Sequence, residues 1–251
     1  MSFEIYSDNL IYQSTITGSS ENAQFPVENI LDPRRSKVYR STASSASIVF
    51  DFGESSEVDS FFLVSDKKNG LGVHTITLEF SHTNVWTSPA ATEVITLDPQ
   101  YNAGYKEFPV KEYRFCRMVM TSTLSYVELA NIFIGKKLGL NRSINFNWSV
   151  KDNELSNKQV NRYGQIFSDV IGKQRTINAS LSLLDKEQLD KINFVIDFYG
   201  ETRPMFVRIG CENMVNNPLR FSGMFYLNDT PQISNPFFNR YNLSFSLIEA
   251  T

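Results

Sequence analysis

Ser47-Ile48-Val49-Phe50-Asp51-Phe52-Gly53 decides the fold class. Ile48, Phe50 and Phe52 fall on one side of an extended chain, with Ser47, Val49 and Asp51 on the other. Gly53 then interrupts the run. This period of two marks a half-buried strand. Working outward, Val58 to Val64 is an apolar run that stops at Ser65-Asp66-Lys67-Lys68-Asn69-Gly70, a strong turn signal. Val73 to Phe80 alternates, with His74, Ile76, Leu78 and Phe80 sharing a face. Arg114 to Thr121 alternates as well, and Tyr126 to Ile134 closes the set at Gly135. Short strands at this spacing predict an antiparallel β-sandwich with loops at both ends.

Composition agrees. The chain has 251 residues, enough for one large domain or two ordinary ones. A core of that size needs neither disulfide nor metal. Phe 20 and Tyr 11 are high and favour strands. Lys+Arg 24 against Asp+Glu 27 leaves a charge of −3, without the basic excess that phosphate binding calls for. Cys116 and Cys211 lie far apart and form no CxxC. Two buried free thiols are expected, a disulfide between the halves being the alternative. No basic-then-apolar leader opens the chain and no run approaches a membrane span. Cytoplasmic synthesis without a signal peptide is expected.

Lys136-Lys137-Leu138-Gly139 reads as a linker, dividing a domain over 1–137 from another over 138–251. Beyond it, Ile144, Phe146, Trp148 and Val150 alternate with polar residues, as a half-buried strand would. The polar stretch 151–172 reads as a long excursion. Ile177, Ala179, Leu181 and Leu183 alternate again. One helix is predicted over about 185–199. Asp185 supplies the N-cap and Gln188 stands three residues on. Leu189, Ile192, Val195, Ile196 and Tyr199 form one stripe, and Gly200 stops it. Met205–Ile209, Phe221–Leu227 and Tyr241–Ile248 read as the remaining strands. The fold class is therefore all-β, a jelly-roll sandwich followed by a mostly β domain with one helix.

Five segments of the first half occur in a familiar order. They are Pro26-Val27-Glu28-Asn29-Ile30-Leu31-Asp32-Pro33, Tyr39-Arg40-Ser41, Ile48-Val49-Phe50-Asp51-Phe52-Gly53, Tyr113-Arg114-Phe115-Cys116-Arg117-Met118 and Val127-Glu128 through Gly135. Together they resemble the discoidin family, also known as coagulation factor 5/8 type C or family-32 carbohydrate-binding modules, and imply an eight-stranded jelly roll. Residues from about 140 onward, among them Arg175-Thr176-Ile177-Asn178-Ala179-Ser180 and Tyr199-Gly200-Glu201-Thr202-Arg203-Pro204, resemble bacteriophage tail proteins. The pair of resemblances implies a structural protein of the virion tail near its distal tip. It would form or decorate a ring with copies of itself and with tube, hub or tape-associated proteins. The alternative is a non-catalytic carbohydrate-binding module that attaches to a host-surface glycan.

Arg40 and Arg114, set among aromatics, need carboxylate partners if buried, and Asp32, Asp51 and Glu128 are the candidates. A structural polar network and a ligand or ion site both fit these five. The discoidin likeness implies a calcium loop at Asp32 and Glu128, but Arg34 and Arg35 would repel the ion, so no metal is assigned. It also implies a sugar site on loop residues. Asn69, His82, Asn84, Trp86, Tyr101, Asn102 and Tyr105 are the candidates, against ordinary subunit contacts. With two histidines, no Gly-x-Ser-x-Gly and no phosphate loop, neither an enzyme nor a cofactor is expected.

Overall fold

The computed structural model describes residues 2–64, 72–98, 103–140, 144–145, 147–210 and 221–250, with Ser2, Ser7, His74, Val170 and Ile171 described by backbone alone. The strands are β1 (Ser2–Ser7), β2 (Thr15–Gly18), β3 (Tyr39–Arg40), β4 (Ser45–Val64), β5 (Val73–Ser81), β6 (Ala91–Thr96), β7 (Ala103–Ser122), β8 (Glu128–Leu129) and β9 (Asn131–Lys137). They continue as β10 (Ser149–Val160), β11 (Ile166–Leu184), β12 (Met205–Gly210), β13 (Ser222–Leu227), β14 (Gln232–Phe237) and β15 (Arg240–Glu249). The single helix, α1, is Lys186–Tyr199.

The chain packs as two compact units. One is Glu4–Gly139 with Met205–Gly223, and the other is Met1–Phe3, Leu140–Pro204 and Met224–Thr251. The linker reading set a boundary at 137/138; the packing moves a terminal segment and β12 across it. The reason is local to the first unit: β12 is buried at every position except Arg208, and Phe206 is wholly buried among aromatics of that unit.

The first unit is an antiparallel sandwich, with neighbours in the order β12-β1-β9-β4-β7-β5-β6 and β2 also on β4. Its two longest strands each turn a corner. Residues 45–51 of β4 pair with 121–115 of β7, whereas 60–64 pair with both 107–103 of β7 and 135–131 of β9. The corner in β4 falls at Gly53, whose φ is +82°, a left-handed conformation that glycine adopts freely. Asp51 Oδ1 accepts from the Gly53 N–H at 2.9 Å and fixes the turn. The second irregularity in this ladder lies between Val58 and Ser60, opposite β7 residues 108–110. Pro109, which has no N–H to give, sits at that break.

Ile48, Phe50, Phe61, Leu63, Ile76, Leu78, Phe80, Cys116, Met118, Ile132 and Ile134 share one buried core. The run Phe61–Val64 and the run Asn131–Gly135 are buried at every position, not at alternate ones. Both faces of that sheet are covered, which is why its sequence reads as a continuous apolar stretch. Phe62 and Phe133, directly opposite in register, point away from the main core into a second aromatic layer with Tyr6, Tyr105 and Phe206. A side chain at Gly135 would collide with the Asp8 carbonyl. Cys116 is a buried free thiol, and Cys211 lies outside the described residues.

In the second unit β10, β11, β15 and β13 are neighbours in that order, and β14 also pairs with β15. The polar stretch after Val150 is a long β-hairpin in which β10 and β11 pair from Ser149↔Asn178 to Val160↔Ile166. The strand expected from Ile144 begins only at Ser149, and Phe146 lies outside the described residues. Asn161 Oδ1 accepts from the N–H groups of Tyr163 and Gln165, closing the hairpin turn. The helix matches its expected bounds. Asp185 accepts from the Gln188 N–H, Gly200 caps the other end, and Leu189, Ile192, Val195 and Tyr199 are buried. Ile177, Leu181, Leu184, Phe225, Leu243 and Leu247 fill the interior.

Candidate functional site

The five polar residues Asp32, Arg40, Asp51, Arg114 and Glu128 separate into three ion pairs instead of one network. Arg40 and Glu128 face each other across the β3–β8 ladder, and Arg40 Nε and Nη2 donate to Glu128 Oε2 at 2.9 and 2.5 Å. Arg114 is exposed near the register break of β4 and β7 and pairs with Asp51 at the Gly53 corner, at 2.8 and 2.9 Å. Such an exposed pair is screened by solvent and adds little to stability. Asp32 turns to its own neighbour, accepting from Arg34 N and Nε. These bonds from Arg34 hold its carboxyl down at about 2. Among the described residues no three His, Cys, Asp or Glu side chains cluster as metal ligands, and no helix is long and apolar enough to cross a membrane.

Of the loop residues, Asn69, Tyr101 and Asn102 lie outside the described residues. His82, Asn84 and Trp86 come together in the loop between β5 and β6. Trp86 Nε1 donates to Asn84 Oδ1 at 2.7 Å, and the Arg117 guanidinium lies 4.7 Å from the indole centroid. Glu79, directly opposite Arg117 on β5, fixes that guanidinium through Nε at 2.6 Å. The His82 and Tyr113 rings meet at 4.6 Å. The rim is thus a half-buried indole framed by an amide and an ion pair, with the His82–Tyr113 ring pair a separate contact at the same loop. Sequence reasoning missed Glu79, Tyr113 and Arg117. The signal was present, since Arg117 occupies the outward phase between buried Cys116 and Met118.

Tyr105 leaves the loop set. It sits within β7, opposite Phe62, because its side chain joins a polar cluster on neighbouring strands. Its hydroxyl meets the Tyr6 hydroxyl at 2.5 Å, and Arg208 lies 4.7 Å from its ring. The Tyr6 hydroxyl also lies 2.9 Å from Glu4 Oε2 and 3.1 Å from Glu107 Oε1, with one proton to give; Lys137 Nζ bridges both carboxylates at 2.8 Å, and Arg208 Nη1 donates to Glu4 at 2.5 Å. Two cations thus balance two anions. Burial pushes the Tyr6 and Tyr105 phenols up, so both stay protonated. Burial also pushes the Glu4 carboxyl up, but the bonds from Lys137, Arg208 and Tyr6 outweigh it and leave it below its ordinary 4.5.

The sign follows. A depressed carboxyl adds stability above its unfolded pKa, and that stability is lost as pH falls through the folded value. Urea-unfolding stability should fall as pH drops below 4.5, with a shallower slope in Glu4→Gln. Equal slopes in the two proteins would show that Glu4 is not held as its bonding implies.

No protein-family model matches the chain, and no curated protein matches it. Solved structures do. The lectin domain of lectinolysin complexed with Lewis B antigen is 12% identical, covers 52% of this chain and 98% of its own, and has a TM-score of 0.46. A Streptococcus pneumoniae fucose-binding module is 12% identical, with 51% and 98% covered and a TM-score of 0.44. A chitosan-binding module from a Paenibacillus sp. IK-5 chitosanase/glucanase is 19% identical, with 51% and 99% covered and a TM-score of 0.40. None of these comparisons bears on the likeness of the second half to tail proteins.

Proposed function

We propose that this chain is a non-catalytic assembly protein of a bacteriophage tail, associating with copies of itself through the β10–β11 hairpin. The observation that carries the association is the state of the hairpin end. Val160, Tyr163, Ile166 and Phe167 are 67%, 73%, 69% and 59% exposed. Val160 and Ile166 are opposite each other and share one face, whereas Phe167 pairs with Gln159 and takes the other. A hairpin resting on its own domain would be apolar on one face only. This one carries exposed apolar side chains on both faces of its end, as a segment clasped by a neighbour would. A two-stranded ribbon is also marginal by itself, so a partner would fix it. The tail setting rests on the sequence resemblance of the second half.

Light scattering across a concentration series tests the association. The wild type is expected to form a closed oligomer. Ile166→Ser/Phe167→Ser should shift the midpoint upward by about tenfold or more, with the melting curve unchanged. A wild type that stays monomeric at every concentration refutes self-association through the hairpin.

A second reading has its own observation, the Trp86 rim. An indole held in place by Arg117 and Asn84 supports attachment of the sandwich unit to a glycan through ring stacking and hydrogen bonds. On this reading Trp86→Ala abolishes binding on a glycan array and costs only about 0.5–1 kcal/mol of stability through the lost cation–π contact. Unfolding of the sandwich unit by this substitution would instead make Trp86 a core residue.

A further inference from the structure

A groove of about 370 Å³ lies in the second unit along β11 and β15. The register places Asn178 opposite Ser246 and Ser180 opposite Ser244, so these four side chains project together on one face. The intervening Ala179 and Phe245 are buried. Gln232, opposite Ser244 on β14, Asp229 and Thr230 of the preceding turn, and Asn147 complete the lining. Ser180 is held in place, since Asn145 Nδ2 donates to its hydroxyl at 2.8 Å and to Ser182 at 2.7 Å. Among the described residues, no side-chain hydrogen bond engages Asn178, Ser244 or Ser246.

The lining chemistry selects the ligand class. It contains no basic side chain and one carboxylate, so a phosphate or other anion finds no counter-charge. Its two apolar residues are almost wholly buried, so a lipid or aromatic ligand finds no apolar wall. An added peptide strand needs a free sheet edge, whereas β11 and β15 already spend their backbone groups on each other. What remains is a row of hydroxyl and amide groups, each able to donate and to accept. A neutral polyhydroxylated molecule presents the same mixture, and the volume lies within the range of small-molecule sites. We propose that this groove is a saccharide-binding site, independent of the hairpin end and of the Trp86 rim.

The test is calorimetric titration of the full chain with neutral cello-, malto- and chito-oligosaccharides. At least one series is expected to bind saturably. Asn178→Trp, which fills the groove, and Ser244→Arg, which charges it, should each weaken that binding about tenfold or more. Both positions are exposed, so the melting curve should hold, and either variant can stand if the other misfolds. Trp86→Ala should leave the affinity unchanged. Saturable binding by none of the three series overturns the proposal. So does binding that survives both groove substitutions, or that disappears with Trp86→Ala.

Discussion

Phe206→Ala should destabilise the sandwich unit by about 3–5 kcal/mol, the range for deleting a fully buried phenylalanine. Phe206 is 0% exposed, stacks on Phe62 at 4.2 Å with rings 18° apart, and touches Tyr6, Phe133 and Tyr105. Collapse around the void is restrained. Phe62 and Phe133 lie opposite each other in a paired ladder, and the Tyr6 hydroxyl is tied to Tyr105, Glu4 and Glu107. Aromatic pairing adds to the area lost. Phe206→Leu, which keeps most of the volume, should cost less than half as much. Urea unfolding followed by tyrosine fluorescence measures both. A cost below about 1 kcal/mol for the alanine variant would mean that the second aromatic layer is not a packed core. The same layer predicts that a chain ending at Lys137, and so lacking β12, unfolds more readily than the whole protein.

The reach of the sequence reading differs from one element to the next for physical reasons. Strands that are solvated on one face, such as residues 47–52 and 73–80, declared themselves through their alternation. The helix declared itself through its cap, stripe and stop. The hairpin did not, because residues 151–169 are exposed on both faces and no burial imposes a period. β14 was missed for the same reason, being exposed at every position. β12 was legible as a strand but not as part of the sandwich unit, since nothing local in Met205–Gly210 says which core it enters.

The rim shows the same divide. His82, Asn84 and Trp86 are neighbours in sequence and could be grouped directly. Arg117 and Tyr113 reach them only through the β5–β7 register, which depends on long-range pairing. Tyr105 was misplaced because an aromatic next to Gly104 resembles a loop residue until its partner, Tyr6, is known. The separation of the ion pairs has a similar origin. Residue types alone admit several pairings, and only the ladders choose among them.

Arg40→Ala should cost about 3–5 kcal/mol, because it removes the two-nitrogen guanidinium partner of a carboxylate buried inside the protein. Glu128 is 0% exposed, and Arg40 reaches it through two nitrogens. The guanidinium is itself flanked by aromatics, 4.3 Å from the Phe25 ring centroid and 4.7 Å from that of Tyr126. Three substitutions separate charge from packing. Arg40→Lys keeps the charge but loses the planar fork and the stacking, so its cost should be intermediate. Glu128→Gln removes the buried charge and leaves Arg40 half-exposed, able to turn to water, so it should cost less than Arg40→Ala. Arg40→Met with Glu128→Leu replaces the pair by apolar groups of similar size and should recover most of the loss. If the double variant were no better than Arg40→Ala alone, the cost would lie in the lost aromatic stacking and not in the buried carboxylate charge. The pair would then act chiefly by holding Phe25 and Tyr126 against the sandwich.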